Sequence, residues 1–281
     1  MTIQPFKSIV KNYGVLFLDS YGVLKNFNGL IPGAIETIQY IIESGREFFV
    51  LTNDASHSPQ LLAEKLHNIG LKSICTGHII SSGMMAREYL GNKIKGGTVV
   101  YLGTEDAAHY IEEAGLETIS ISDLKINDID HVSAIVFLDD EGFDWNNDIS
   151  KAVNLLKRRN IPAIVANSDL TYPVSKNKVA VAIGGIAEIV EKIVQKKFIH
   201  FGKPDGSMFM YAYELLSEKG QFSKSEILMV GDTLYTDIIG GNKFGVDTAL
   251  VLTGNTRKER AEVLIRSYGI IPNYICESVG V

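Results

Sequence analysis

The fold of this chain is decided by ten residues near its start, Val15-Leu16-Phe17-Leu18-Asp19-Ser20-Tyr21-Gly22-Val23-Leu24. The first four are apolar, which is typical of a parallel strand covered on both faces, and the run ends at Asp19 before a turn at Gly22. Ligands of open α/β sheets bind at the carboxyl ends of the strands, so Asp19 occupies a position where chemistry is usual. The alternative at this point is that Asp19 merely caps the turn that follows it.

Apolar runs alternate with helical segments along the first third of the chain. Pro32 precedes a predicted helix at residues 33–44, which stops at Gly45. A second apolar run at 47–51 is followed by a predicted helix at 59–68. A third apolar run at 78–81 is followed by a predicted helix that extends to about residue 90. Such alternation predicts βαβ units in a parallel sheet. The turn cluster at 91–97 predicts a domain boundary.

A second α/β series begins after this turn cluster. Predicted strands at 98–102, 132–138 and 162–166 alternate with predicted helices at 105–114 and 147–159. After Gly184-Gly185 come a helix at 186–196 and strands at 198–201, 227–230, 248–252 and 274–276. We therefore predict the α/β class, with a Rossmann-like parallel-sheet core at residues 1–81 and 184–281. A second, smaller α/β series is inserted at residues 82–183.

Charge and cysteine content narrow the function classes. The 281 residues include 27 Lys and Arg against 33 Asp and Glu, a net charge of −6, which argues against a nucleic-acid partner or an anionic membrane surface. The two cysteines, Cys75 and Cys276, are far apart and predict ordinary thiols in a reducing compartment. The start of the chain lacks a signal-peptide pattern, and no apolar run reaches membrane-span length. We expect a cytoplasmic protein.

Polar and charged residues gather where predicted strands end. They are Asp19, Thr52, Asn53, Lys203, Asp232 and Asp237. Asp19 and Asp232 could share Mg²⁺, which prefers oxygen ligands and would offset the repulsion between carboxylates and a phosphate. Thr52 and Asn53 could hold phosphate oxygens, and Lys203 supplies a positive charge. Asp237 lies five residues beyond Asp232, within reach of metal-bound water. Together these residues predict a phosphoryl-transfer site.

The order of these segments resembles the four motifs of the haloacid dehalogenase (HAD) superfamily. The motifs match Leu18 to Val23, Leu51-Thr52-Asn53, Gly202-Lys203-Pro204, and Gly231-Asp232 through Thr236-Asp237-Ile238. The last is similar to the pattern of class II phosphatases, such as p-nitrophenyl and pyridoxal phosphatases, which carry a large α/β cap between the second and third motifs. The resemblance implies that the inserted series at residues 82–183 is a smaller α/β cap domain of this kind. Residues 167–173, Asn-Ser-Asp-Leu-Thr-Tyr-Pro, also resemble a cap segment of that branch.

The resemblance implies a Mg²⁺-dependent phosphatase acting on a small phosphorylated metabolite. Asp19 would attack phosphorus and form an aspartyl-phosphate that water releases. Mg²⁺ would be held by Asp19, Asp232 and the backbone carbonyl of Tyr21, with Asp237 beside it. In the cap, Asp169 would contact substrate on closure, although capping its own turn is an equal alternative. The resemblance also implies a homodimer paired through the cap.

One position departs from the family pattern. Most phosphatases of the family have an Asp at the position of Tyr21, where it acts as general acid and then as base. Tyrosine, with an ordinary pKa near 10, can donate a proton but is a poor base at neutral pH. Three interpretations stay open: a hydrolase of limited or specialised activity, an ordinary phosphatase that recruits another acid, and a phosphate-ligand binding or regulatory protein that has lost turnover.

Overall fold

The computed structural model describes residues 2–175 and 178–280. The strands are β1 Val15–Asp19, β2 Lys25–Asn26, β3 Gly29–Leu30, β4 Glu47–Thr52, β5 Ile79–Ser81, β6 Thr98–Leu102, β7 Glu117–Ser120, β8 Val132–Phe137, β9 Ala163–Val165, β10 Thr171–Ser175, β11 Lys178–Val181, β12 Ile199–His200, β13 Ile227–Gly231, β14 Asp247–Val251 and β15 Tyr274–Cys276. The helices are α1 Phe6–Val10, α2 Ala34–Glu43, α3 Pro59–Asn68, α4 Ser82–Lys93, α5 His109–Glu112, α6 Asn147–Arg158, α7 Ile183–Val194, α8 Gly206–Lys219, α9 Ile239–Phe244 and α10 Lys258–Tyr268. Within these described ranges, no helix has the length and apolar character needed to cross a membrane.

The larger sheet places β1 at its centre. Its six strands are all parallel, in the order β15-β14-β13-β1-β4-β5. Leu16 and Leu18 of β1 pack into one apolar cluster with α1, α2 and α3, whereas Val15 and Phe17 pack into another with α8. Because successive side chains of a strand point to opposite faces, both faces of β1 are covered. This double burial explains the unbroken apolar run before Asp19.

The smaller sheet is formed by the inserted segment. Its five strands are parallel and ordered β12-β9-β8-β6-β7. Val100 and Leu102 of β6 join one apolar cluster, and Val99 and Tyr101 join the cluster on the other face. Two parallel sheets, each covered by helices, confirm the predicted α/β class with a Rossmann-like core and an inserted second α/β unit.

The end of the inserted unit differs from the predicted boundary at residue 184. Helix α7 packs into the apolar cluster of the smaller sheet through Ile186 and Val190. Strand β12, expected in the larger sheet, pairs instead with β9, with Ile199 opposite Ile164. A short apolar strand and an amphipathic helix fit either sheet equally well by sequence pattern, so only tertiary contacts choose between them. We therefore propose that the cap extends to about residue 201.

Local structure departs from the prediction in two other places. The predicted helix at 105–114 is a 3₁₀ turn, Asp106–Ala108, followed by the single turn of α5. The antiparallel hairpin β10–β11, in which Thr171 pairs with Val181, lies where no strand was predicted. This hairpin brings the cap close to the carboxyl edge of the larger sheet, where the candidate site lies.

Candidate active site

Three neighbouring strands deliver polar residues to one edge of the larger sheet. Asp19 is the last residue of β1, Thr52 is the last residue of β4, and Asp232 follows β13 directly. Parallel pairing sets Asp19 opposite Leu51, so these ends lie side by side. The geometry brings these three residues together as the sequence predicts.

Lys203 reaches the same edge of the larger sheet from the domain that contains the smaller sheet. It follows β12 of the smaller sheet and not a strand of the larger one, which corrects the expected origin of this residue. Its ammonium group lies 2.6 Å from Asp19 Oδ1 and 2.8 Å from Asp237 Oδ1, and it donates to the Leu51 carbonyl at 2.8 Å. Burial opposes its charge, but the two carboxylates raise the pKa of Lys203 above its ordinary value. The lysine is therefore a fixed cation beside Asp19.

Three acids surround this lysine. Asp19, Asp232 and Asp237 each offer an oxygen within 4.8 Å of the others, and Asp232 and Asp237 are almost fully buried. Burial raises the pKa of Asp232 to about 7, reinforced by the neighbouring charge of Asp237. Burial likewise raises the pKa of Asp19 well above its ordinary value, although Lys203 opposes the shift. One lysine cannot neutralise three ionised carboxylates, so without a further cation the cluster tends to take up protons, and the raised pKa values of Asp19 and Asp232 express this tendency.

Backbone atoms close tightly around the carboxylate of Asp232. Gly22 has a left-handed φ of 84°, and a Cβ there would lie 2.3 Å from Asp232 Cγ. A Cβ on Gly254 would lie 1.8 Å from Asp232 Oδ2. Asn255 N donates to that oxygen at 2.5 Å, and Thr233 Oγ1 donates to Oδ1 at 3.0 Å. Only residues without a side chain fit this cradle.

Sequence reasoning missed the loop that carries Gly254 and Asn255. The loop follows β14, which pairs with β13 in the larger sheet. Its position at the same carboxyl edge was therefore the signal that could have found it. Thr233 was equally overlooked, although it lies next to Asp232 in sequence.

The described donor set fits a divalent cation. Carboxylate oxygens are the ligands that Mg²⁺ prefers, and here three of them converge in a cluster that one lysine does not neutralise when all three are ionised. Asp19 Oδ1 is occupied by the Ser20 amide at 2.8 Å and by the Lys203 ammonium group. The second carboxylate oxygen of Asp19 is therefore available to a ligand or to chemistry.

Asn53 organises the site in a way that the sequence did not indicate. Its Oδ1 accepts from the Lys203 amide at 2.7 Å, while its Nδ2 donates to the Lys203 carbonyl at 3.0 Å and to Asp169 Oδ1 at 2.9 Å. The side chain is thus engaged with protein groups and is not free to hold phosphate. Thr52 is different, because among the described residues its Oγ1 accepts from Asp54 N at 3.2 Å and donates to none, so its proton can go to a ligand.

Tyr21 makes a contact between the core and the cap. Its hydroxyl donates to the Pro173 carbonyl of β10 at 2.7 Å. Burial raises the pKa of Tyr21 above its ordinary value, opposed by the Phe27 backbone amide and reinforced by the charge of Asp232. The phenol therefore keeps its proton and directs it toward the cap.

Asp169 lines a cavity of about 910 Å³ at the mouth of the site, together with Thr233, Asn255 and Tyr235. The turn at Asp169 is capped by Asn167, whose Oδ1 accepts from the Asp169 amide at 2.8 Å. The Asp169 carboxylate is therefore not used to cap its own turn. It points instead to Asn53 across the boundary between the two sheets.

Known proteins with this arrangement identify the family. Residues 16–117 match the model of haloacid dehalogenase-like hydrolases, and residues 200–280 match a HAD-hydrolase-like model. The crystal structure of a possible sugar phosphatase of the HAD superfamily from Cytophaga hutchinsonii is 53% identical, with a TM-score of 0.96. The alignment covers 100% of this chain and 99% of that one. The chain belongs to the haloacid dehalogenase superfamily.

Curated relatives place this HAD protein among the capped class II phosphatases. Human chronophin is 28% identical over 273 residues, which cover 95% of this chain and 90% of chronophin. An acid sugar phosphatase from Staphylococcus saprophyticus is 26% identical over 253 residues, which cover 90% of this chain and 92% of that protein. The predicted resemblance is confirmed, and the chain is a phosphoric-ester hydrolase of the HAD type.

Proposed function

We propose that this HAD phosphatase hydrolyses a small phosphorylated metabolite through an aspartyl-phosphate on Asp19 and depends on Mg²⁺. The observation that carries the proposal is the position of Asp19. One of its oxygens is held by Lys203 and Ser20, while the other is left for attack on phosphorus. Because the nucleophile is already oriented, less of the activation free energy is needed to position it for attack.

The neighbouring groups supply charge and hydrogen bonds to a phosphoryl group. Lys203, held between Asp19 and Asp237, stabilises the negative charge that develops on the transferring oxygens. The free hydroxyl proton of Thr52 can donate to one of those oxygens. Asn53 contributes indirectly, because its side chain fixes both backbone atoms of Lys203.

The acid cluster would hold the metal. Asp19, Asp232 and the backbone carbonyl of Tyr21 are the proposed Mg²⁺ ligands, with Asp237 completing the negative environment. When bound, the ion supplies positive charge that offsets repulsion between the carboxylates and the phosphate. The ion would also remove the electrostatic cost that raises the pKa of Asp232.

The substrate would enter through the cavity beneath the cap. Its walls combine the exposed apolar side chains of Leu170, Val179 and Tyr235 with polar groups such as Thr171. Relatives named as sugar phosphatases make sugar phosphates the first compounds to test. Because the Tyr21 proton goes to the cap, turnover of alkyl esters requires a proton from another residue.

Turnover of acetyl phosphate, 4-nitrophenyl phosphate and sugar phosphates with Mg²⁺ tests this proposal. We expect Asp19→Asn to abolish turnover of all three, because an amide is not a nucleophile. The exposed acid Asp123 offers a matched control, and Asp123→Asn is expected to act like the wild type. Equal rates for Asp19→Asn and the wild type would refute the nucleophile assignment.

The commitment of Tyr21 to Pro173 favours one second candidate, a phosphate-ligand binding or regulatory protein. It predicts that inorganic phosphate raises the thermal midpoint while no substrate is consumed. Metal-dependent turnover by the wild type that is lost in Asp19→Asn would exclude it.

We also propose that the protein forms a homodimer through the cap. Support comes from exposed apolar side chains along the hairpin that lie outside the substrate cavity, which include Val174 and Val181. Exposed apolar clusters often mark protein interfaces. Sedimentation equilibrium of the wild type and Val174→Glu would show a dimer that the variant weakens. A monomeric wild type would refute the proposal.

A further inference from the structure

The site as described lacks a proton donor for the leaving group. Phosphate esters of alcohols leave as alkoxides unless a neighbouring acid protonates the departing oxygen, and such help is worth roughly a hundred- to ten-thousand-fold. The Tyr21 hydroxyl donates its proton to the Pro173 carbonyl. Asp232 and Asp237 belong to the charged cluster around Lys203. The donor must therefore come from another element that borders the site.

Asp169 is a carboxyl group in such a place. It lies on the cap, borders the cavity beneath it, and accepts from Asn53 Nδ2 at 2.9 Å. Asn53 is the residue that holds the amide and carbonyl of Lys203, whose ammonium group contacts Asp19. One side chain thus links the cap carboxyl to the cation beside the nucleophile.

The environment of Asp169 favours its protonated form. Burial raises the pKa of Asp169 above its ordinary value, opposed by the Asn53 amide and Lys203 and reinforced by Asp237 and Asp54. The bond from Asn53 occupies Oδ1, because an amide N–H can only donate. Oδ2 is the oxygen that can carry the proton.

Other carboxyls on this cavity are placed differently. Asp205 accepts from the Ser207 amide at 2.9 Å and caps the start of α8. Glu188 lies on α7 and is about half exposed, with 46% of its side chain accessible. In the described hydrogen bonds, neither side chain contacts Asn53 or another residue that is bonded to Lys203. This difference singles out Asp169.

We propose that Asp169 is the general acid and base of the reaction, an inference that rests on the proposed phosphatase function. As Asp19 Oδ2 bonds to phosphorus, the bond from phosphorus to the ester oxygen breaks, and the Asp169 proton passes to that oxygen. Water then attacks the aspartyl-phosphate and gives one proton to the Asp169 carboxylate. This second transfer restores both carboxyl groups and releases phosphate.

The test compares leaving groups in Asp169→Asn. The variant keeps the side-chain size and an oxygen for Asn53 but has no proton to transfer. We expect the rate of the first step for alkyl phosphates, such as glycerol phosphate, measured as release of the alcohol in a single turnover, to fall roughly a hundred- to ten-thousand-fold. Acetyl phosphate, whose leaving group departs without a proton, should lose less than about tenfold in this first step.

Asp205→Asn is the matched control, since it removes a carboxyl from the same cavity while asparagine still caps α8 well. It should keep the wild-type ratio of alkyl to acetyl rates. The wild type should lose alkyl phosphatase activity as pH rises through the Asp169 pKa. The pH–rate profile of Asp169→Asn should lack this decrease at higher pH. A second variant, Asp169→Asn with Tyr21→Asp, should recover alkyl turnover by returning a carboxyl to the first motif.

Equal losses for alkyl and acetyl phosphates in this first step would overturn the proposal, because they would indicate a structural or positioning role. Unchanged alkyl turnover in Asp169→Asn would overturn it as well. Failure of the phosphatase function itself is recognised separately, since the wild type would then hydrolyse neither class, and both proposals would fall together.

Discussion

Replacing Asp232 with Asn should stabilise the metal-free protein while removing its response to Mg²⁺. The carboxyl is 1% exposed, and burial with the nearby charge of Asp237 raises its pKa from 3.8 to about 7. Each unit of pKa is worth about 1.4 kcal/mol, so ionising Asp232 above pH 7 costs the folded protein about 4 kcal/mol. Asparagine avoids this cost.

The hydrogen bonds of Asp232 can survive the substitution. Asn255 N donates to one carboxylate oxygen, and an amide oxygen can accept it in the same way. The Thr233 hydroxyl, which now donates, can rotate to accept from the new Nδ2. Allowing about 1 kcal/mol for imperfect geometry, the net gain at pH 8 is about 2 to 3 kcal/mol.

The sign of the pH dependence follows from the raised pKa. The folded wild type binds the proton of Asp232 more tightly than the unfolded chain does, so its stability falls as pH rises from about 4 to about 7. The advantage of Asp232→Asn should therefore be near zero at pH 4, grow through this range, and stay constant above it.

Thermal unfolding in EDTA at pH 5 and pH 8 measures this effect. At pH 8 the midpoint of the variant should exceed that of the wild type by roughly 4 to 12 °C, and at pH 5 by less. Mg²⁺ at 100 times its dissociation constant should add about 2.7 kcal/mol to the wild type and much less to the variant. The reasoning is refuted if the variant is less stable than the wild type at pH 8 in EDTA.

Two further changes probe the tight parts of the site. Tyr21→Phe removes the hydrogen bond to Pro173 and should destabilise the contact between core and cap by about 1 kcal/mol. The variant should therefore show a raised KM with a smaller change in kcat, and faster hydrogen exchange in β10. Unchanged exchange in β10 would contradict a role of Tyr21 in holding the cap. Gly254→Ala places a Cβ 1.8 Å from Asp232 Oδ2 and should abolish the stabilisation of the protein by Mg²⁺. Gly77→Ala is the control, because a Cβ there meets no atom within 4 Å, and it should keep that stabilisation. A normal Mg²⁺ response of Gly254→Ala would show that the close approach of Gly254 to Asp232 is not needed.

Much of the larger sheet could be predicted because each of its buried strands appears in the sequence as a short run of apolar residues. A strand buried on both faces must be apolar throughout, so β1 and β13 are visible as runs that end in an acid. Parallel strands share a carboxyl edge, which places Asp19 and Asp232 together without further information. The cap hairpin lacked such a signal, because its strands are not buried on both faces and so need no unbroken apolar run, and Pro173 within the first of them argues against a strand.

The sequence alone determined which chemical groups this protein has and where along the strands they stand. Tertiary structure decided what those groups touch. Tyr21 finds its partner 152 residues away, and Asn53 finds Asp169 at a separation of 116 residues. Lys203 enters the site from the smaller sheet because β12 pairs with β9. Contacts at such separations depend on how two domains pack, and local residue patterns do not encode that packing.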